Sequence, residues 1–366
     1  MLSLSDDIHI STKKLGSILR DAKKTATAIN LIYVDDRQPG IARIRKKETF
    51  HYYADGEKIR DEIIIERIKK LAIPPAWENV WICHSDNGHL QATGLDLRQR
   101  KQYKYHALWN SLRNHTKFYR LHEFGKAIPS IRQQLQHDLA LKGLPVGKVL
   151  ALVVSLMEQT NIRIGNSAYE KIYGSFGLTT LKDKHVKISG NRMQFVFKGK
   201  KGITHNISVR SKRLAKIVKS CREIPGKELF QYYDEEGNHK SIDSGMVNNY
   251  IKAISGSDFT AKDFRTWAGT VHSLTAFRQI GKAETIGDTK KNILAVLDDV
   301  AARLGNTRNV CKKYYVHPSI IDLYENDKLH SYLENMDIIE DDSEIAEEEK
   351  ILLTILEKEG LVTTAV

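Results

Sequence analysis

The pattern of apolar residues changes period once along this chain, near residue 112, and that change bounds the fold. Between residues 31 and 110 the runs LIYVDD, IARIRKK and TFHYYADGEKI are short and rich in β-branched and aromatic residues. They are broken by Pro39-Gly40 and Asp55-Gly56, so they read as strands closed by turns. NVWICH and HLQATG read as a hairpin across Asp86-Asn87-Gly88. One helix interrupts them, with Ile64, Ile65, Ile68 and Leu71 at helical spacing and Pro74-Pro75 as its stop. Beyond residue 112 apolar residues recur every three or four positions instead. Val149, Leu152, Val153 and Leu156 form one stripe, and Leu214, Ile217, Val218 and Cys221 a second. Ile293, Val296, Leu297, Val300 and Leu304 form a third, which ends at Gly305, a C′ glycine. Another helix opens at Thr260-Ala261-Lys262-Asp263, close to a capping box, and the last begins at Pro318.

The helical part holds one β-meander. HVKI, RMQFVFK and ITHNISV are joined at Ser189-Gly190-Asn191 and at Gly199-Lys200-Lys201-Gly202, and Phe195/Phe197 and Ile203/Ile207/Val209 alternate as core-facing strands should. The expected class is α+β. A small β-rich domain spans residues 1–112 and a larger, mostly helical one spans 113–336, with the junction near Leu112–Phe118. An acidic segment, 337–366, follows. In it Ile351, Leu352, Ile355 and Leu356 fit a terminal helix.

Charge narrows the partners. The formal net charge is +12, although residues 337–349 alone hold eight acids and no base. The rest of the chain is therefore more basic still, which suits a polyanion whose counterions are released on binding. No apolar run reaches the ~20 residues of a membrane helix, and MLSLSDDIHISTKK lacks the apolar stretch of a secretory signal. Three scattered cysteines, Cys83, Cys221 and Cys311, form no disulfide framework and fit a reducing interior such as the cytoplasm. There is no GxxxxGK[ST], no HExxH and no run with metal-ligand spacing, so neither nucleotide, metal nor other cofactor is expected. Asp35-Asp36 reads as a turn before Pro39-Gly40 rather than a Mg²⁺ site.

What remains is basic residues and tyrosines at defined positions. Phosphoryl transfer without a metal needs cations to meet the negative charge that spreads over the nonbridging oxygens, and arginine, planar and always charged, suits that best. It also needs a nucleophile and a proton donor for the leaving oxygen. Arg163 follows an apolar helix in RIGN. Lys200 tips a glycine-bounded hairpin in FKGK. Arg265 lies in FRTW, where Trp267 could cover its stem and Asp263 could pair with it. Asn306 lies in LGNT, and Tyr315 follows Lys312, Lys313 and Tyr314. Singly, each reads as an ordinary surface or core residue.

Their order says more. RIGN, FKGK 37 residues after Arg163, the FRTW arginine, LGNT, and a tyrosine nine residues after Asn306 together resemble the active-site series of type IB DNA topoisomerases of the compact bacterial and poxviral kind. GLTTLKDKH and YVHP match as well, and PPAWENVWIC with GHLQATGLDLRQRKQYKYH resembles the family's small β-domain, so the likeness covers roughly residues 30–330.

The resemblance implies an enzyme that relaxes duplex DNA through a 3′-phosphotyrosine, as a monomer forming a C-shaped clamp. Arg163 and Arg265 would hold the scissile phosphate, Lys200 would protonate the leaving 5′ oxygen and Tyr315 would attack. Asn306 stands where poxviral and eukaryotic members carry histidine. Its amide can donate a hydrogen bond but cannot carry a proton near neutral pH. Gln102, Tyr103 and Tyr105 would contact the major groove, and Tyr169 and Lys262 the phosphates. A tyrosine recombinase shares the Arg/Lys/Arg/Tyr chemistry, but it usually places a histidine just before the second arginine, where Lys262-Asp263-Phe264 stand here. It also has a helical N-terminal domain. A DNA-binding protein that kept the fold without catalysis is the other alternative. The acidic stretch 337–349 reads as solvated, with an autoinhibitory decoy as the alternative.

Overall fold

The computed structural model describes residues 2–5, 8–10, 21–47, 49–96, 99, 101–334 and 345–359. Two compact units divide at Arg120–Leu121.

Among the described residues the first unit is built on two short strands, β1 (Leu2–Ser5) and β2 (Ile8–Ile10), and a six-stranded antiparallel sheet. The sheet runs β5 (Glu57–Lys58), β4 (Thr49–Ala54), β3 (Ile41–Lys46), β6 (Glu78–Ile82), β7 (Leu90–Leu95), β8 (Lys101–Tyr105). A short helix, α1 (Ala22–Thr27), precedes it, and α2 (Glu62–Lys70) is inserted after β5. Asp61 caps α2 by accepting from Ile63 N at 2.8 Å. One face of α2 then packs Ile64 and Ile68 against Ile41, Val80, Ile82 and Ala92 of the sheet.

LIYVDD is not a strand. Only Ile32 bridges, to Gly88, because the segment's other polar groups have partners of their own. Val34 N donates to His89 Nδ1 at 3.1 Å, and Asp36 accepts from Thr93 Oγ1 at 2.9 Å.

The backbone is helical through residues 112–118, inside the 33-residue α3 (Ala107–Leu139), which crosses the division between units. In the second unit α4 (Val146–Thr160) is the central element, buried almost continuously from Val149 to Met157. Around it come α5 (Ser167–Tyr173), α6 (Lys212–Arg222), α7 (Ser244–Ser255), α8 (Ala261–Ile280), α9 (Ile286–Leu304), α10 (Arg308–Tyr314), α11 (Pro318–Glu325) and α12 (Leu329–Glu334). The meander forms, but Ile203, expected among its core-facing strand residues, is exposed and lies in the turn after Gly202, outside the strands. β9 (Val186–Ser189) and β11 (Thr204–Arg210) flank β10 (Arg192–Lys198), with Phe195 opposite Ile207 on one side and Val186 on the other. A second hairpin, β12 (Gln231–Tyr233) with β13 (His239–Ser241), has strands too short to announce themselves by alternation.

The terminal helix forms as α13 (Glu347–Lys358) and buries Ile351, Leu352, Ile355 and Leu356. The solvated reading of 337–349 fails at its C-terminal end, while 337–344 lie outside the described residues. Glu349 is buried and bidentate on Arg132, at 2.9 Å to both Nη1 and Nη2. It also accepts from Trp267 Nε1 at 2.8 Å. Glu347 pairs with Arg278 at 2.9 Å. Among the described residues no helix is long and apolar enough to cross a membrane.

Candidate active site

The site grows from two helix C-termini. The central helix α4 closes on Asn161, which takes the left-handed conformation (φ 56°, ψ 17°). Helix α9 closes on Gly305, also left-handed (φ 57°, ψ 52°). Both ends expose unsatisfied carbonyls and the negative pole of the helix dipole, which favours a cation. Arg265, on α8, supplies it. Its Nη1 donates to Asn161 O and its Nη2 to Leu304 O at 2.8 Å. Arg265 is therefore a core residue, 5 % exposed, that ties α8 to the ends of α4 and α9. The surface ion pair with Asp263 is not formed. Asp263 completes the capping box of α8, accepting from Thr260 N at 2.8 Å. Nor does Trp267 cover the guanidinium, because two residues along a helix point to different faces. Trp267 packs against Phe124 instead (ring centroids 6.1 Å).

Arg163 reaches the same place from the extended segment after α4. Its Nη2 donates to Gly305 O at 3.2 Å and to Asn306 Oδ1. The segment is fixed by Leu178 N donating to Arg163 O at 2.9 Å. Gly165 (φ +100°) makes the crossing possible, since a methyl group there would come within 3.0 Å of the Gly177 backbone.

Two guanidinium groups thus converge, and among the described residues neither has a carboxylate partner. The cost is visible in their titration. Burial, and then the charge of Arg265, lower the Arg163 pKa to about 10. Burial lowers that of Arg265 as well, against an upward pull from Tyr315. Two buried donors, Arg265 Nε and Asn306 Nδ2, have no hydrogen-bond partner among the described residues. Unpaired buried donors are costly and call for an explanation, and an anion seated between the arginines would supply one.

Tyr315 lies under this cluster, with the Arg265 guanidinium carbon 5.2 Å from its ring centroid. Its main chain is held tightly: its N donates to Cys311 O at 2.9 Å and its carbonyl accepts from Thr270 Oγ1 at 3.2 Å. Gly269 allows that approach, for a methyl group there would meet Tyr315 O at 2.6 Å. Tyr314 is placed differently, its ring beside Lys313 Nζ (5.4 Å).

Lys200 is exposed at the β10–β11 turn and, with Arg163, lines a cavity of about 610 Å³. The motifs did not single out His205, which lines it too. This histidine sits on β11 opposite Phe197, at an ordinary alternating position, so nothing local marks it. Burial and then the charges of Arg163 and Arg265 lower its pKa, which keeps the ring neutral near pH 7.

The other expected residues fall elsewhere. Lys262 is exposed in the first turn of α8, one turn before Arg265. Tyr169 is on α5, with its side chain outside the description. Gln102, Tyr103 and Tyr105 are on β8 of the first unit, at the sheet edge. Tyr103 and Tyr105 share a face, as alternation requires, and stack at 5.9 Å. Tyr103 is 47 % exposed, whereas Tyr105 also leans on the core around Trp109 and Leu112. Gln102 donates to Asp96 at 3.0 Å. Among the described residues no group of three or more His, Cys, Asp or Glu could hold a metal ion.

Comparison with known proteins gives the family. Residues 102–341, well over half of the chain, match the family model described as eukaryotic DNA topoisomerase I, catalytic core. Residues 49–96 match bacterial DNA topoisomerase IB, N-terminal domain. The DNA topoisomerase 1B of Acanthamoeba polyphaga mimivirus is 35% identical over 295 residues, 78% of this chain and 88% of the viral one. DNA topoisomerase 1 of rabbit fibroma virus is 26% identical over 241 residues, 64% of this chain and 72% of the other. DNA topoisomerase 1B of vaccinia virus (strain Copenhagen) is 24% identical over 238 residues, with the same coverage of both chains. With a catalytic-core model over most of its length and a relative of this identity spanning both units, the chain belongs to the type IB DNA topoisomerases.

Proposed function

We propose that this type I DNA topoisomerase relaxes supercoils through a tyrosyl linkage formed by Tyr315. The observation that carries the reading is the pair of guanidinium groups, Arg163 and Arg265, that have no carboxylate partner among the described residues, with Arg265 set over the Tyr315 ring. A scissile phosphate between them would accept from both arginines and from the two unpartnered donors, Arg265 Nε and Asn306 Nδ2. These groups meet the charge that grows on the nonbridging oxygens as Tyr315 Oη, releasing its proton to solvent, attacks phosphorus. The P–O5′ bond breaks, Lys200 gives its proton to the leaving 5′ oxygen, and the strand end stays on Tyr315 as a 3′-phosphodiester. Attack of the 5′-OH on that ester reverses each step and frees the tyrosine. The linkage conserves the energy of the broken bond, so no nucleotide is consumed, and the cations of the site are the protein's own.

In this reading Gln102, Tyr103 and Tyr105 contact duplex DNA from the β-rich domain, Tyr169 and Lys262 hold phosphates, and a monomer grips the duplex as a C-shaped clamp. Glutamine can pair with adenine, and tyrosine can pack on bases or sugars. The three thiols are buried and free, which suits a reducing compartment such as the cytoplasm.

The test is plasmid relaxation in EDTA without ATP, with wild type beside Tyr315→Phe and an SDS trap for covalent adduct. Relaxation and a 3′-linked adduct from wild type, both absent from the variant, are expected. Relaxation that survives the substitution would transfer the role to another tyrosine. DNA binding without relaxation or adduct from wild type would leave only a binding protein.

A further inference from the structure

The His205 ring has an unusual position. A methyl group on Gly199 would come within 2.5 Å of His205 Nε2, and one on Gly305 within 2.3 Å of His205 Cε1. The imidazole therefore rests against the backbone of both glycines. Gly199 immediately precedes Lys200, and Gly305 immediately precedes Asn306. On β10 the ring is backed by Phe197, stacked at 5.0 Å and 17°. A flat ring thus fills the space between two turns that come from elements about a hundred residues apart in sequence. Each turn carries one of the residues assigned above to phosphate chemistry.

We propose that His205 is a positioning residue for DNA cleavage: its ring is the spacer that fixes the turn carrying Lys200 against the turn carrying Asn306. The proposal rests on the roles given to Lys200 and Asn306 in the preceding section. A spacer must be flat, to fit between two glycine backbones, and must add no charge. The charged groups facing His205 are cations: Arg163 and Arg265 from the phosphate cluster, and Lys198, Lys200 and Lys201, which line the same cavity. No carboxylate is among the described residues lining it. A protonated ring would add one more cation there, and burial together with the two arginines opposes that. Misplacing a reacting group by about 1 Å can cost on the order of 10²-fold in rate, so a spacer can matter without touching DNA.

Single-turnover cleavage of a duplex oligonucleotide, with SDS trapping, gives the rate; fluorescence anisotropy of the same duplex gives affinity. His205→Ala is expected to slow cleavage by roughly 10- to 100-fold while affinity stays within about twofold. His205→Phe, which restores a flat ring without nitrogen, is expected to recover most of the rate. Gly199→Ala probes the contact from the other side without removing the ring, should His205→Ala not fold, and is expected to slow cleavage too. In Gly199→Ala/His205→Ala the added methyl group no longer meets a ring, so the double variant should cleave faster than the product of the single effects. Lys200→Ala and Asn306→Ala run alongside. If they are slow while His205→Ala matches wild type, or if His205→Phe is as slow as His205→Ala, or if the two single effects simply multiply, the spacer is overturned. If Lys200→Ala and Asn306→Ala both cleave like wild type, the assignment of those two residues has failed instead, and the proposal goes with it.

Discussion

A buried arginine without a carboxylate is expensive, and this site holds one at Arg265 with a half-buried second arginine beside it. The protein meets part of the cost with the carbonyls of Asn161 and Leu304, which demand a planar donor with two diverging N–H groups. Lysine offers a point charge instead. Arg265→Lys should therefore slow cleavage by about 10²-fold, in line with losing one fixed donor to a developing oxyanion, with little change in DNA affinity. Single-turnover trapping beside a binding isotherm checks the split. Asn306 gives a second prediction. Asn306→His keeps a donor and should stay active, whereas Asn306→Asp puts a carboxylate on Arg163, fills the anion site and should nearly abolish adduct formation. A plain time course of SDS-trapped adduct decides it. Sequence order alone pointed to side chains that the structure brings together, but not to their surroundings. Burial of Arg265 depends on two helix ends, at residues 161 and 304, that no local pattern connects to it. The expected Trp267 cover over Arg265 took neighbours in sequence for neighbours in space.

Helix α8 has two working faces: Arg265 reaches the ends of α4 and α9, and Trp267 donates to Glu349 of α13. Glu349 and Glu158 share the single guanidinium of Arg132, with Glu158 at 2.8 Å from its Nε. The two carboxyls shift oppositely. Burial pushes Glu158 up, while Arg132, Trp267 and the Ala346 N–H outweigh burial at Glu349 and hold it below the usual carboxylate range. A depressed folded pKa contributes stability that is present above the unfolded value and is lost as pH falls through the folded one. Glu158 should protonate first on acidification. Docking of α13 should then persist through the ordinary carboxylate range, near ~4.3, and fail only below it. Hydrogen exchange across residues 345–359 as a function of pH reads this, and release already at pH 5 would contradict it. Glu349→Ala should cost about 3 kcal/mol in denaturant unfolding at neutral pH, because it takes from the partly buried Arg132 guanidinium its bidentate partner and leaves Trp267 Nε1 without its acceptor. At this scale the meander's three strands were readable from the two glycine-bearing turns between them, but Ile203 was not, because the second turn takes it out of the strand and exposes it. The LIYVDD run was not, because residues with strand-forming preferences spend their hydrogen bonds on His89 and the Asn87–Gly88 turn.

Over the whole chain the change of hydrophobic period separated sheet from helix correctly. It gave no sign that α3 would run on through residue 139, since periodicity reports which face is buried and not where one compact unit ends. The net charge of +12 belongs to this scale too. If six phosphates are neutralised, affinity for a non-specific duplex should fall about 10³-fold between ~50 and ~200 mM salt. A titration of salt against anisotropy measures the slope, and a flat response would mean that the basic surface is not the binding surface. Relaxation also loads the protein mechanically. If Tyr315 carries the broken strand, torque released by the turning duplex passes into its main chain, which is held against α8 by Thr270 and by the missing side chain of Gly269. That load path runs into a buried stretch of α8, where Thr270 and Ser273 are wholly covered, rather than into a loop, so the moored strand end stays still while the other swivels, and the two ends remain in register for the rejoining step.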